Sequence, residues 1–233
     1  MEEKSLEVGH HTTVFLGGIP LHTDTLLYTG IVCAVLIIIA ALARRSLTSG
    51  PPKGLQNLIE GVYSLVSGMV TDSGADKVRY MAPMAITLFL FILFSNMLGT
   101  IPGLHSPTSD LNTPVALTLV VLFLMHYLGL KFKGAGGYLK HFAEPMALAI
   151  PINVLEIVTR PVSLALRLFG NMFAKGTVFG LIGFLLPWFL IVVPSIVWIP
   201  FSLFIGVIQA FVFTVLTIVY LGMAMETHPE GAH

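Results

Sequence analysis

Long apolar segments constrain this chain more than any other feature of its sequence. Residues 26–43 form a run of eighteen side chains without a charge, close to the ~20 residues that a helix needs to cross a bilayer. Apolar residues make up 55% of the 233 residues and charged residues only 10%, whereas a soluble domain has about 25% charged residues. The sequence therefore predicts an integral membrane protein.

The apolar pattern predicts an all-α fold with about five membrane-crossing helices in a single membrane domain. The last two segments are roughly 40 residues each, or ~60 Å as helices, about twice the hydrocarbon core. We therefore expect them to form a long tilted, bent helical hairpin. The expected segments are an external tail at 1–25, spans at 26–43, 82–101 and 113–130, an interfacial amphipathic helix at 54–70, and the hairpin at 144–186 and 188–225.

The positions of the charges predict the topology. Arg44 and Arg45 follow the first span, and Lys131 and Lys133 follow the third, which indicates the cytoplasmic side. Residues 102–112 contain no Lys or Arg and are expected outside. The acidic first 25 residues are the wrong flank for a cleaved signal peptide. We expect a multi-pass protein of a bacterial-type inner (plasma) membrane, with the N-terminus outside and the C-terminus in the cytoplasm.

Several site classes are not indicated by the composition. Twelve basic and twelve acidic residues cancel, so net charge gives no reason to expect nucleic acid. The single Cys33 has no internal disulfide partner and is interpreted as a small buried side chain. The histidines lack metal-ligand spacing, so no metal site is expected. The glycines of 134–137 lack the spacing of a phosphate loop and indicate a flexible connector.

Arg167 lies in the middle of a long apolar stretch. A guanidinium keeps its proton, and placing it at bilayer depth costs ~2.5 to 3.5 kcal/mol, so it needs an anionic partner or water. No acid lies three or four residues away on either side, so Arg167 cannot be neutralised along its own helix. An intramembrane charge of this kind indicates a functional site.

Polar side chains of the hairpin segments share helical faces. In the first segment they fall within an arc of about 80°, at ~100° per residue. In the second they are spaced by seven. The two stripes comprise Glu156, Arg160, Ser163, Arg167 and Asn171, and Ser195, Ser202 and Gln209. Two such faces imply a wetted path or a polar partner. For Glu156 and Arg160, simple neutralisation of an i, i+4 pair is an open alternative.

Two motifs carry a family resemblance. Residues 161–174, PVSLALRLFGNMFA, resemble the signature of the a subunit in the membrane sector of rotary F-type ATP synthases, and residues 209–220, QAFVFTVLTIVY, are similar to that family's last-helix motif. Similar runs occur at 96–102, 110–112 and 151–156. The resemblance covers roughly residues 25 to 228 and is specific, because it includes the intramembrane arginine.

The resemblance implies an ion-translocating stator subunit with two half-channels. Arg167 would face the carboxylates of a rotating ring of c-subunit proteolipids and couple proton or sodium flow to ring rotation and ATP synthesis. Further implied partners are b-type peripheral stalk subunits, the rest of the ATP synthase complex and the lipid bilayer. The chain itself would perform no catalysis, bind no nucleotide and hold no cofactor.

The resemblance also implies supporting residues. Asn171 and Gln209 would flank Arg167, with plain interhelical hydrogen bonding as their alternative. Glu156 would line the cytoplasmic half-channel. Many family members have a titratable pair at the positions that are Gly176 and Ser202 here, so the outer half-channel departs from the pattern. Lys175 is the nearest candidate to pass protons there, and the alternative is that it snorkels toward the outer surface.

A secondary transporter and an intramembrane enzyme are the two alternative function classes. A small secondary ion transporter also uses broken helices and buried charges, but it would predict an internal repeat, and no convincing repeat is visible. An intramembrane enzyme would need paired acids, a histidine cluster or a serine with a histidine partner at membrane depth. The sequence lacks these constellations.

Overall fold

The structure, a computed structural model, is mainly helical. It describes residues 13–16, 19–46, 54–72, 82–101, 104–143, 150–187 and 190–225. In chain order its elements are strands β1 (Thr13–Leu16) and β2 (Ile19–His22), helices α1 (Thr23–Ser46), α2 (Leu55–Asp72) and α3 (Ala82–Leu98), a 3-10 turn (Pro107–Ser109), and helices α4 (Asn112–Ala143), α5 (Ile150–Leu185) and α6 (Val192–Met225).

A β-hairpin precedes the first helix, in the segment expected to be an external tail. The strands pair antiparallel, with Thr13 opposite His22 and Leu16 opposite Ile19. A Gly-Gly dipeptide separates them in the sequence, which is a hairpin signal that the sequence interpretation missed. This short hairpin is an addition to the expected all-α fold, since every other regular element of the described chain is helical.

Four helical segments are long and apolar enough to cross a membrane. They are Thr23–Arg45, Asn112–Gly134, Leu155–Leu185 and Val192–Met225, and the shorter α3 is also apolar. A helix suits such segments because it satisfies its own backbone hydrogen bonds where no water is present. Large apolar side chains such as Leu27, Ile37 and Phe123 are exposed, which is expected of surfaces that contact lipid or a partner.

Helix α2 is amphipathic. Val66 and Val70 are buried on one side, while Glu60 and Ser64 are exposed on the other. Its bounds differ from the expected 54–70 by one or two residues, because apolar residues at helical spacing define it well. Its location in the membrane interface remains a prediction.

Helix α4 is longer than the expected span 113–130. Gly134 interrupts it with a φ of 70° and a ψ of 163°, a backbone conformation that glycine adopts at little cost. The chain then returns to helix up to Ala143, so the expected connector at 134–137 is reduced to a sharp break. Lys133, just before the break, donates a 3.3 Å hydrogen bond to the Met223 carbonyl of α6.

Helices α5 and α6 contain 36 and 34 residues, with Pro161 and Pro200 in their interiors. At ~1.5 Å per residue each exceeds ~30 Å of hydrocarbon. An interior proline removes one backbone hydrogen bond and favours a kink. The structure confirms two long helices here, and part of the expected range, residues 144–149 and 188–189, lies outside the described residues.

The chain divides into two compact units, each assembled from parts of several helices. Unit 1 comprises Met1–Arg45, Phe89–Pro114 and Leu166–Phe211; unit 2 comprises Ser46–Leu88, Val115–Ala165 and Val212–His233. Ile92, Leu168 and Ala210 are buried in the core of unit 1, and Phe213 and Leu221 in the core of unit 2. The boundary crosses α5 one residue before Arg167 and α6 two residues after Gln209.

Candidate functional site

Arg167 projects from the apolar helix α5 and is exposed. The next residue, Leu168, and Leu164 one turn earlier are buried, so the core-facing side of α5 is apolar and the guanidinium lies off that side. Within the described ranges, Arg167 has no hydrogen bond or ion pair to another residue. A bare guanidinium at bilayer depth is costly, so its counter-charge must come from elsewhere.

Asn171 lies one turn after Arg167 and is bonded to Gln209 on α6. The Asn171 side-chain N–H donates to Gln209 Oε1 at 2.5 Å. Gln209 is only 3% exposed, and its own Nε2 has no partner in the structure. Because a buried N–H without an acceptor is unfavourable, this amide calls for a water molecule or a visiting acceptor.

Lys175 lies one turn after Asn171 on α5, and its side chain points toward α6. Its Nζ donates to the Ser202 carbonyl at 2.7 Å, and the side chain is half-buried. The Lys175 ammonium is therefore directed at α6, in contrast to the alternative in which the side chain snorkels toward the outer surface. Ser202 is buried, and its hydroxyl has no partner in the structure. A side chain at Gly176 would meet nothing within 4 Å, so a larger residue fits there.

Glu156 and Arg160 form an ion pair within α5, in unit 2. Arg160 Nε donates to Glu156 Oε1 at 3.0 Å and a second guanidinium nitrogen contacts the same oxygen. The guanidinium carbon also lies 5.3 Å from the centre of the Tyr220 ring of α6, a cation–π geometry worth ~0.5 to 2 kcal/mol. Through this contact with Tyr220, Arg160 attaches the pair on α5 to α6, while Glu156 remains exposed.

A small cavity adjoins Arg160 and Tyr220 in unit 2. Its volume is about 10 Å³, room for about one water molecule. The walls are mostly apolar, and they are formed by Thr118, Val121, Leu122, Met125, Arg160, Pro161, Leu164 and Tyr220. The described part of unit 2 therefore has a small, mainly apolar space beside the Arg160 guanidinium.

Asp110 lies just before α4 and binds side chains at the start of α1. It is 5% exposed, and its Oδ2 is 2.6 Å from His22 Nδ1 and accepts from the Thr25 hydroxyl at 2.7 Å. Its Oδ1 accepts from the Asn112 backbone N–H. Burial alone raises the pKa of Asp110, but the hydrogen bonds from Thr25, His22 and Asn112 outweigh it and hold that pKa below its ordinary value.

The contacts of Asp110 with His22 and Thr25 were not predicted from the sequence. His22 and Thr25 lie more than 80 residues away, beyond the reach of any local pattern. A second missed group joins Asn96 of α3 to Thr108 and Gly206. Its only sequence signal is the occurrence of polar residues at the end of an apolar helix.

Comparison with known proteins decides the family. The family model described as ATP synthase A chain matches residues 26–222. The chain belongs to the ATP synthase subunit a family. Proteins named ATP synthase subunit a are similar to it along almost the whole chain. The one from Gloeobacter violaceus is 40% identical over 236 residues, covering 97% of this chain and 93% of that protein.

Two further members of the ATP synthase subunit a family give the same result. The protein from Acidothermus cellulolyticus is 38% identical over 97% of this chain and 86% of its own length. That from Mycobacterium tuberculosis is 37% identical over 97% of this chain and 96% of its own length. The resemblance inferred from residues 161–174 and 209–220 is confirmed. This chain is a membrane subunit of an ATP synthase, with the rest of that complex as its partner, and it takes part in ion transport and ATP synthesis.

Proposed function

We propose that this chain is the ion-translocating stator of the membrane sector. Arg167 faces the carboxylates of a rotating c-ring, and two half-channels connect this site to the two sides of the membrane. The observation that carries the proposal is the exposed guanidinium of Arg167, which has no acidic partner among the described residues. Its counter-charge is then an acid on another protein.

A permanent cation explains directional coupling. A ring carboxylate that arrives in the membrane is stabilised in its ionised form by Arg167, which cannot become neutral. An ion held on the ring must therefore leave before its site passes the arginine. The same charge repels a proton that would cross directly from one half-channel to the other. Rotation is then the route that remains open, for protons or for sodium.

The contact between Arg167 and the ring must stay loose. Breaking a buried ion pair costs ~3 to 5 kcal/mol, while one charge falling through ~100 mV gains only ~2.3 kcal/mol. Water near the arginine lowers that cost. The unpaired Nε2 of Gln209, one hydrogen bond from Asn171, offers a place to hold such water and to orient it.

We assign the polar residues of each unit to one of the two half-channels. Unit 1 contains Asn171, Lys175, Ser202 and Gln209, and we assign them to the outer half-channel. Unit 2 contains Glu156 beside Arg160, and we assign this pair to the cytoplasmic half-channel. Lys131 and Lys133 belong to unit 2, and by the positive-inside rule they support the cytoplasmic assignment of the Glu156–Arg160 pair. We place the N-terminus outside and the C-terminus in the cytoplasm.

Lys175 is our candidate for proton transfer in the outer half-channel. From Asn171 to Leu185 it is the only titratable residue of α5, and α6 has none from Val192 to Phe211. Gly176 and Ser202 cannot replace the usual titratable pair. The inward orientation of Nζ supports the relay, since a proton donor must lie within hydrogen-bond reach of the path.

The remaining partners follow from the same role. We propose that the α5 surface bearing Arg167 contacts the c-ring, and that b-type stalk subunits hold the chain against rotation. Family membership removes the secondary transporter and the intramembrane enzyme as candidates. Five crossings, α1 and α3 to α6, in a bacterial-type inner membrane complete the proposal.

Cross-linking tests the contact with the ring. Leu166 is exposed and Leu164 is buried on the same helix, so L166C and L164C form a matched pair in a chain with C33S. We expect only L166C to form a disulfide with a cysteine placed one turn from the ring carboxyl. Equal yields from both variants, or none from either, would contradict the proposed orientation of α5. Purification in mild detergent should also recover small proteolipids with this chain.

A further inference from the structure

A buried polar group connects the loop after α3 to α6 within unit 1. The Asn96 side chain, 1% exposed, uses both ends of its amide. Its Nδ2 donates to the Gly206 carbonyl at 3.0 Å, and its Oδ1 accepts from the Thr108 hydroxyl at 2.9 Å. Ser106 lies 2.7 Å from Thr108, hydroxyl to hydroxyl, and donates to the Ser95 carbonyl at 2.8 Å.

Glycine makes this arrangement possible at the loop. A Cβ on Gly99, just after α3, would lie 2.5 Å from Ser106 Cβ, so only glycine lets the loop fold back this closely. That close approach brings Ser106 and Thr108 over the last turn of α3. Asn96 is thereby held by the loop on one side and by α6 on the other.

Asn96 and Lys175 meet at Gly206. A Cβ built on Gly206 would lie 3.1 Å from Asn96 Cβ and 3.5 Å from Lys175 Nζ. The two side chains donate to successive carbonyls on one face of α6, Asn96 to Gly206 and Lys175 to Ser202. Since Asn96 donates to the Gly206 carbonyl, Lys175 is kept at the Ser202 carbonyl, which lies ~6 Å farther from Gln209 along α6.

We infer that Asn96, oriented by Thr108, is a positioning residue for Lys175. This inference rests on the proposed function of Lys175 as the proton relay of the outer half-channel. The Thr108 hydroxyl fixes the Asn96 amide so that its N–H groups face Gly206. Without that bond the Asn96 amide can turn away from Gly206. The Lys175 ammonium can then move to the Gly206 carbonyl, which is one turn closer to Gln209 and to Arg167.

Two buried hydroxyls without a protein partner indicate ordered water beside this group. Ser95 is 0% exposed and Ser202 is 4% exposed, and neither hydroxyl has a partner in the structure. Buried hydroxyls without a protein partner are normally met by ordered water. Such water would link the Ser106 side of the group to Lys175, so the loop that positions the lysine also lies on its path to the outside.

The charged and titratable groups around Lys175 are few. Helix α3 contains no Asp, Glu, His, Lys or Arg, and neither does the part of α6 in unit 1. The remaining groups of unit 1 near this loop are Arg167 on the helix of Lys175, His105 and Asp110 in the loop, His22 beside Asp110, and Asp24 and Tyr28 in the first turns of α1. Of these, Arg167 disfavours the protonated lysine more strongly as the two approach.

The test is the rate of ATP synthesis against outer pH, at fixed membrane potential, in proteoliposomes containing the whole complex. Thr108→Val keeps the shape and removes the hydroxyl. The alkaline limb is the part of the profile in which the rate falls as the outer pH rises. For Thr108→Val we expect this limb to move to lower pH by on the order of half a unit, because the lysine shifts toward Arg167. Thr108→Ser should restore the limb. Thr217→Val, which removes a buried hydroxyl bonded to the Phe213 carbonyl of its own helix, is the matched control and should not shift it.

The outcomes separate this inference from the proposed function. If Lys175→Gly leaves the alkaline limb in place, the lysine relay is wrong, and the positioning role fails with it. If Lys175→Gly moves the alkaline limb to lower pH while Thr108→Val only scales the rate at every pH, the relay stands and the positioning role is overturned. Rates are normalised to assembled complex, so that a folding defect is not counted as a shift.

Discussion

Asn171 on α5 donates a 2.5 Å hydrogen bond to Gln209 on α6, one helical turn beyond Arg167. The bond joins the two polar stripes and leaves the buried Nε2 of Gln209, with its two N–H donors, without a partner. A side-chain amide pair is a suitable neighbour for a guanidinium that must bind and release an anion. It adds no charge of its own, and it can hold water in a defined orientation.

Replacing Arg167 by lysine should abolish coupled ATP synthesis. An ammonium lacks the planar fork of the guanidinium and can lose its proton when desolvated. We expect a loss of at least ~100-fold, the factor that corresponds to about 3 kcal/mol, for both R167K and R167A. The measurement is ATP synthesis in membrane vesicles under an imposed proton gradient.

The matched control for this experiment is Arg45→Lys. Arg45 is exposed in the last turn of α1, where an ammonium serves as well as a guanidinium, so synthesis should be retained. Near-normal synthesis by R167K would show that the guanidinium has no special role.

A double-mutant cycle should reveal the coupling between Asn171 and Gln209. Asn171→Leu alone leaves both ends of the buried Gln209 amide unpaired, which costs ~1 to 3 kcal/mol. The double variant N171L/Q209L should be less destabilised than the sum of the single variants, by ~0.5 to 3 kcal/mol. Thermal release of the subunit from the purified complex measures this stability. Additive effects would mean that the bond contributes nothing.

Lys175→Gly should reduce ATP synthesis most when the outer medium is alkaline. If the lysine captures protons, its loss matters where protons are scarce, and we expect a drop of about tenfold there. In the same background Gly176→Glu should recover part of the rate, because the position has open space and a carboxyl restores a titratable group. A loss that is equal at all outer pH values would indicate a packing role for Lys175.

Acid should loosen the attachment of the N-terminal hairpin through Asp110. Its pKa lies below the ordinary value, so the folded state favours the carboxylate. This stabilisation is complete above the ordinary pKa of ~3.9 and is lost as the pH falls through the lowered pKa. Hydrogen exchange of residues 19–25 should therefore accelerate in that acidic range.

Two variants sharpen the test of Asp110. Asp110→Asn should show fast exchange in this segment already at neutral pH, without an acid transition. Thr25→Val removes only one of the hydrogen bonds to the carboxylate and should have a smaller effect. If exchange in D110N equals that of the unmodified chain, Asp110 does not attach the hairpin.

The sequence predicted the helices better than the contacts between them. Apolar run length largely determines a transmembrane helix, and α1 and α3 to α6 lie where the long apolar segments are in the sequence. The family motif implied that Asn171 and Gln209 flank Arg167 and left an interhelical hydrogen bond as the alternative; the structure shows a hydrogen bond between the two side chains. The break at Gly134 was not predicted, since the four-residue glycine segment has no single preferred conformation.

Contacts between distant residues were beyond prediction from the sequence. Asn96 and Gly206 are 110 residues apart, and nothing local relates an asparagine on one helix to a glycine carbonyl on another. The inward orientation of Lys175 depends on which backbone acceptor lies within reach of a flexible side chain, and the sequence left both alternatives open. Such details arise only when the tertiary packing is complete.

Helix α1 is attached at one end. Thr25 in its first turn and His22 just before it are bonded to Asp110, and Val32 is buried, whereas most of the following side chains are exposed. Helix α1 is thus fixed to the Asp110 loop through its first turn, while its later turns present mostly exposed apolar side chains. A sideways force on the Arg44–Arg45 end would therefore act as a torque on the loop that contains Asp110.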